Sequence, residues 1–352
     1  MRRRYAILAP GHFGDDAKTA NGVIQYSPDD VAAVIDPQCA GRRVRDVQPH
    51  LRRDAPIVAN LAEAMPYDPT ALLIGTAPKG GALPASWRSE VLAALDRGLD
   101  VVSGLHDMLG DDPEFAAVAA KRGATIWDVR KPPATPIFSG AVYGIATPTV
   151  LMVGNDCAVG KMTVALELAC SANAAGERAA FVPTGQTGIM IAGWGIAVDR
   201  VIADFAPGAT EALVLIAAEQ KPAMIFVEGQ GAINHPAYAS VTLSLMYGSA
   251  PDALILVCDP ARTHIESYRT PTLGYRELIR VHEALLATVK PARVIGIALN
   301  TRKLDEAAAQ AAIAEARSLT HLPVNDVVRY GCDNFFSQIR KQITRGSPCV
   351  VS

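Results

Sequence analysis

Short apolar runs recur along the chain, each closed by Gly, Pro or Asp and set apart by stretches long enough for a helix. Strands covered on both faces read as continuous apolar runs, not as an alternation, so the pattern predicts parallel strands joined by helical crossovers, an α/β fold. In the N-terminal part the predicted strands are residues 6–9, 31–35, 57–59, 71–75, 101–103 and 125–129. Between two of them, residues 87–97 predict a helix whose apolar face carries Val91, Leu92 and Leu95. The proline-rich stretch Lys131 to Pro136 interrupts the alternation. A second series of runs follows at residues 149–153, 180–183, 223–227, 253–258 and 294–299, with helices over 161–175, 276–286 and 305–319. The expected division is a first domain over 1–146 and a second over 147–352, in keeping with 352 residues at roughly 100 to 200 per domain.

Composition then removes several classes of function. Lys plus Arg (33) nearly balance Asp plus Glu (35), and a net charge of -2 offers no field to hold a phosphate polymer or an anionic membrane. No apolar run reaches the roughly 20 residues of a spanning helix. The cysteines (Cys39, Cys157, Cys170, Cys258, Cys332 and Cys349) are scattered without a CxxC pair, which argues against a disulfide framework or a zinc site. Arg2, Arg3 and Arg4 precede an apolar run that stops at Pro10, read as a first strand and not as a signal segment. The expectation is a cytoplasmic protein acting on a small molecule, with neither nucleic acid nor membrane as partner. A homo-oligomer is compatible with the sequence, which does not specify one.

The sharpest motif is Gly154, Asn155, Asp156, Cys157, Ala158, Val159, Gly160, Lys161, Met162 and Thr163, which follows a buried-type strand and opens a helix. It is a long variant of the GxxxxGK[ST] loop, in which backbone N–H groups and a helix N-terminus wrap phosphates and the Lys adds a point charge. Five residues separate Gly154 from Gly160, a spacing like that of dethiobiotin synthetases. The position after the Lys ordinarily carries the hydroxyl that anchors Mg²⁺, and here it is Met162, whose thioether is a poor ligand for a hard cation. Thr163 could still donate to a phosphate oxygen. The loop is therefore expected to hold a pyrophosphate without a metal. The predicted fold is a Rossmann-like N-terminal domain followed by a P-loop, dethiobiotin synthetase-like parallel-sheet domain.

Ligands of open α/β sheets gather at the carboxyl ends of the strands, and other polar groups fall there. Thr184, Gln186 and Thr187 follow the second strand of the C-terminal series, and Glu228, Gly229, Gln230 and Gly231 follow the third. Glu228 stands where P-loop proteins carry a Walker B acid and is a candidate base, metal ligand or partner of a substrate amine. His235 shares that loop, and a histidine there is ordinarily a structural or surface residue. Asp259, Arg262 and His264 follow the fourth strand with Arg269 beyond, and Arg262 could grip a carboxylate bidentately. Asn300 and Thr301 end the fifth strand, a position used by dethiobiotin synthetase-like proteins to read a nucleotide base, adenine being the plausible one. In the first domain GxGxxG is missing, which argues against NAD, while Lys18, Lys79 and His106 are weaker candidates read as structural.

Taken together, the Rossmann-like first part, the loop Gly154 to Thr163, Thr184-Gly-Gln-Thr-Gly188 and Val227-Glu-Gly-Gln-Gly231 resemble a P-loop family, formerly of unknown function, that includes D-glutamate N-acetyltransferases. The resemblance spans essentially the whole chain. It implies acetyl-CoA-dependent N-acetylation of D-glutamate, in a catabolic route continued by an enzyme acting on the N-acetyl product. Coenzyme A carries an adenine and a pyrophosphate, and acyl transfer from its thioester needs no γ-phosphate and no Mg²⁺, so Met162 is consistent with it. On this reading Glu228 and Lys161 are the catalytic candidates, residues 154–163 with Asn300 and Thr301 bind the coenzyme, and Gln186, Thr187, Gly229, Gln230 and Arg262 face the amino acid. The alternatives are an ATP-dependent ligase or kinase of the dethiobiotin synthetase type, or a nucleotide-sensing module without turnover.

Overall fold

The computed structural model describes residues 2–14, 16–76, 78 and 80–343; Lys79 and Cys349 lie outside the described residues. Two compact units account for them, one formed by the chain up to Pro132 together with Gln186–Ala197, the other by Pro133–Gly185 together with the chain from Val198 on. Each unit is built on a six-stranded sheet whose strands all pair in parallel.

The first sheet comprises β1 (Arg4–Leu8), β2 (Asp30–Ile35), β3 (Ile57–Val58), β4 (Ala71–Ile74), β5 (Asp100–Ser103) and β6 (Ile126–Asp128), in the Rossmann order β3-β2-β1-β4-β5-β6. Its core combines Ala6, Leu8, Leu72 and Val101 of the strands with Val91, Leu95 and Phe115 of two covering helices. The helix Pro113–Arg122 follows from its ends: Asp112 caps the N–H groups of Glu114 and Phe115, Pro113 takes the first position, and Gly123 ends it at φ 70°.

The turn after β1 is where GxGxxG is missing. Asp36, buried just past β2, accepts from the N–H groups of Gly11 (2.9 Å), Phe13 (3.0 Å) and Gln38 (2.9 Å). A carboxylate of the chain itself thus takes two of the donors of this turn. The helix Gln186–Ala192 also belongs to this unit, where the Thr187 hydroxyl meets that of Thr19 at 3.0 Å.

The second sheet comprises β7 (Thr149–Gly154), β8 (Ala179–Val182), β9 (Met224–Val227), β10 (Ala253–Cys258), β11 (Arg293–Leu299) and β12 (Val324–Asn325), in the order β12-β11-β10-β7-β9-β8. β7 lies between β9 and β10, so the loop leaving its carboxyl end is flanked on both sides. Val150, Met152, Phe226, Ile255 and Val257 pack with Val164 and Leu168 of the helix Lys161–Ala174 and with Phe335, Phe336 and Ile339 of the helix Asp333–Arg340. Glu211, buried on the helix Ala206–Glu219, accepts from the N–H groups of Ser139 and Val142 and ties the segment after the prolines to this unit. All eleven predicted runs carry a strand, and only the two-residue β12 was not foreseen.

Replacing Asp36 by Ala leaves the buried N–H of Phe13 and that of Gly11 without their acceptor. Urea unfolding of Asp36→Ala should show a loss of about 1–3 kcal/mol; an unshifted midpoint would contradict the role given to this carboxylate.

Candidate active site

Lys161 opens its helix from the end of the β7 loop, and its side chain turns back under that loop, where it is buried and donates to the Asp156 carbonyl at 2.7 Å. Space for the stem comes from two glycines. A Cβ on Gly229 would lie 1.7 Å from the Met152 carbonyl oxygen and 2.9 Å from Lys161 Cδ, and one on Gly154 would lie 2.6 Å from the Val257 carbonyl oxygen. Glycine is therefore required at both strand ends. Burial lowers the Lys161 ammonium to about 8.

The loop itself is held by side chains at its back. Asn155 exchanges two hydrogen bonds of 3.2 Å with the backbone of Asp259, anchoring the loop to the end of β10. Asp156 is fully buried. Its Oδ1 accepts from the Cys157 N–H (2.6 Å), and its Oδ2 from Arg262 (2.6 Å) and from the Glu266 N–H (2.8 Å). Asn300 donates to the Val159 carbonyl at 3.1 Å. By contrast, the N–H groups of Ala158, Val159 and Gly160 meet no acceptor among the described residues. Ala158 holds φ 56° and Gly160 φ 110°. Unpaired donors at a helix N-terminus beside a lysine make an anion cradle. Met162 and Thr163 lie half-buried on the first helical turn.

Glu228 is buried at the end of β9, with Oε2 accepting from the N–H groups of Thr184 (2.9 Å) and Gly185 (3.0 Å). Burial raises this carboxyl to about 7, against the pull of those two bonds, while Asp199 raises it further and Lys161 lowers it. Gln230 donates to the Thr184 carbonyl at 2.7 Å, so its amide braces the β8 and β9 loops together. The site thus joins residues 154–163 with Thr184, Glu228, Gly229, Gln230, Arg262 and Asn300.

Several of the residues expected to touch a ligand bond within the protein or lie in the other unit. Arg262 is bound to Asp156 and to the Cys157 carbonyl, so it holds the loop. Thr301 gives its hydroxyl and its N–H to Asp326, at 2.6 and 2.8 Å, and is fully buried. Gln186 and Thr187 lie on a helix of the first unit. Outside the cradle, Lys18 and His106 are exposed in the first unit, and His264 and Arg269 are exposed in the second.

His235, expected to be a structural or surface histidine, is not at the surface. It is buried between Tyr238 (ring centroids 4.5 Å apart) and Tyr268 (5.3 Å), with Nε2 3.8 Å from Asp156 Oδ1. Neither tyrosine belongs to a motif, and only the pairing of two distant loops brings them together. Ligand atoms of Asp156, Cys157 and His235 lie within 4.8 Å of one another, a spacing that suits a cation. Two features oppose that use. The Arg262 guanidinium already neutralises Asp156, and His235 Nδ1 accepts from the Ala237 N–H (3.1 Å), which places the imidazole proton on Nε2, the nitrogen turned to Asp156. Burial further favours the neutral forms of His235 and Cys157.

Residues 37–132 match a family model described as a Rossmann-like domain of unknown function (DUF1611_N), and residues 136–336 one described as a P-loop domain of unknown function (DUF1611_C). A protein named D-glutamate N-acetyltransferase from Tritonibacter scottomollicae is 36% identical over 319 residues, 90% of this chain and 91% of its own. A second of that name, from Pseudoalteromonas sp, is 33% identical over 282 residues, 80% of this chain and 84% of its own. The crystal structure of a DUF1611 family protein from Anabaena variabilis is 40% identical and superposes with a TM-score of 0.91 over 97% of this chain and 100% of that one. With both halves matched, this chain belongs to the DUF1611 family, a Rossmann-like domain followed by a P-loop domain.

Proposed function

We propose that the protein is an N-acetyltransferase that moves the acetyl group of acetyl-CoA to the amino group of D-glutamate. The observation that carries the reading is a phosphate cradle with unpaired N–H groups at Ala158, Val159 and Gly160 and a buried Lys161, followed by Met162 in place of the Mg²⁺-anchoring hydroxyl. Those donors suit the coenzyme's pyrophosphate. Bound there, acetyl-CoA supplies an activated acetyl group at the far end of its pantetheine arm. The two relatives named D-glutamate N-acetyltransferase support the choice of acceptor.

This assignment constrains Glu228. The arm holds the thioester about a dozen bonds of ~1.5 Å from the pyrophosphate. A residue against Lys161 therefore lies at the phosphate end while the arm is extended. There a carboxyl that titrates near 7 carries a proton toward the phosphates below that pH and repels them above it. A second reading makes Glu228 the base that deprotonates the acceptor amine at a curled arm, and it is favoured by the Oε1 atom, for which no hydrogen-bond partner is described.

Three outcomes are expected. Turnover of acetyl-CoA with D-glutamate, followed by free thiol, should persist in EDTA, and ATP should yield no ADP; activity that requires restored Mg²⁺, or stoichiometric ADP, would move the protein to the ligase or kinase class. Calorimetry on Lys161→Ala should show acetyl-CoA affinity reduced by about 1.5–3 kcal/mol, the scale of a hydrogen bond to a charged group. Coenzyme affinity should fall as pH rises through about 7, since ionised Glu228 opposes the phosphates, and again through about 8 as Lys161 loses its proton. Glu228→Gln should abolish the first of these limbs with turnover retained. If that variant instead loses turnover at unchanged affinity, Glu228 is the base.

A further inference from the structure

The geometry points to Tyr238 and Tyr268 as a stacking platform for the adenine ring of the coenzyme. This rests on the reading above, in which the cradle holds the pyrophosphate. The two tyrosines are 53% and 42% exposed, yet both rings pack on the same buried side chain, His235. They reach it from the loops after β9 and β10, the two strands that flank the cradle strand β7. His235 in turn stands 3.8 Å from Asp156 in the cradle loop. The aromatic rings are thus tied, through His235, to the carboxylate that backs the cradle loop, on the two loops that border it. The tyrosine hydroxyls make no hydrogen bond among the described residues, and about half of each side chain is open.

Adenine is the occupant that fits these facts. A planar base gains most of its binding from aromatic faces and needs no matched hydrogen-bond donor to stack. At the position from which related folds read a base, Thr301 is already given over to Asp326 and one amide hydrogen of Asn300 to the Val159 carbonyl. The platform also has a rigid support. His235 is held at Nδ1 by the Ala237 N–H, so the rings rest on a fixed imidazole.

The test uses the full-length protein and three probes: coenzyme A, adenosine 3′,5′-bisphosphate and pantetheine. Tyr238→Ala and Tyr268→Ala should each weaken coenzyme A and adenosine 3′,5′-bisphosphate alike by about 5-fold or more, the scale of base stacking on an aromatic ring. Pantetheine binding should be unchanged, and the Phe variants should retain affinity. The adenine absorbance of the bound bisphosphate should be hypochromic with the parent protein and lose that effect in the double Ala variant. Unchanged bisphosphate affinity in folded Ala variants overturns the platform, as does a loss that follows pantetheine. Lys161→Ala separates the two readings. If it weakens coenzyme A while the tyrosine variants do not, only the platform fails; if it too has no effect, the coenzyme assignment of the cradle falls with it.

Discussion

A carboxylate with no exposed surface, Asp156, sets the shape of the second unit's site. Left alone in the interior it would carry a desolvation cost of several kcal/mol. It is acceptable there because Arg262 and two backbone N–H groups meet it, at 2.6, 2.6 and 2.8 Å. Those groups come from its own loop and from the loop after β10, and His235 approaches from the loop after β9. One buried charge therefore couples three loop conformations. The consequence is felt at the front of the cradle, where Ala158 adopts a left-handed φ that a residue with a Cβ resists. The backing holds the loop in that form, with three N–H groups that meet no acceptor among the described residues.

Lys161 and Glu228 are held against their own preferences by the same burial. Glu228 titrates at about 7 when folded, against 4.5, so its proton stabilises the fold fully below 4.5 and that contribution is lost as pH rises through about 7. Lys161 titrates at about 8, against 10.5, so its contribution is present above 10.5 and is lost as pH falls through about 8. Near neutral pH the fold benefits from neither. For Lys161 the shift corresponds to roughly 3 kcal/mol. An anion in the cradle would favour the charged ammonium and the protonated carboxyl, and so relieve both. A site that is electrostatically unsatisfied by its own residues is prepared for a ligand of one sign.

The strands and the cradle were legible because their signals are local. Residues 149–153 are an unbroken apolar run, and Gly160-Lys161 stands where strand gives way to helix. Roles that depend on what another loop does were not legible. Arg262 reads as a free guanidinium until Asp156 is found beside it, 106 positions away. Thr301 reads as a ligand donor until Asp326 takes its hydroxyl. The helix Gln186–Ala192 follows Gly185 directly in sequence, yet it packs as part of the first unit, through Thr19. Nothing in a window of ten residues specifies that. Tyr238 and Tyr268 are the extreme case, since a single tyrosine in a polar loop has no pattern to betray it.

The two units place the same device, a strand leading to a turn and then a helix, under opposite control. After β1, the turn's Gly11 and Phe13 donors end on the carboxylate of Asp36, which fixes the turn. After β7, the carboxylate is one residue inside the loop itself, and it takes the Cys157 N–H while those of Ala158, Val159 and Gly160 stay unpaired. In both cases an aspartate rigidifies the turn. Its position decides which donors remain, because a carboxylate at the front of a nest occupies the ligand's place and one behind it holds the nest open. Two similar sheets therefore differ, through the location of one acid, in which turn donors meet an acceptor among the described residues, a difference that fold class alone does not reveal.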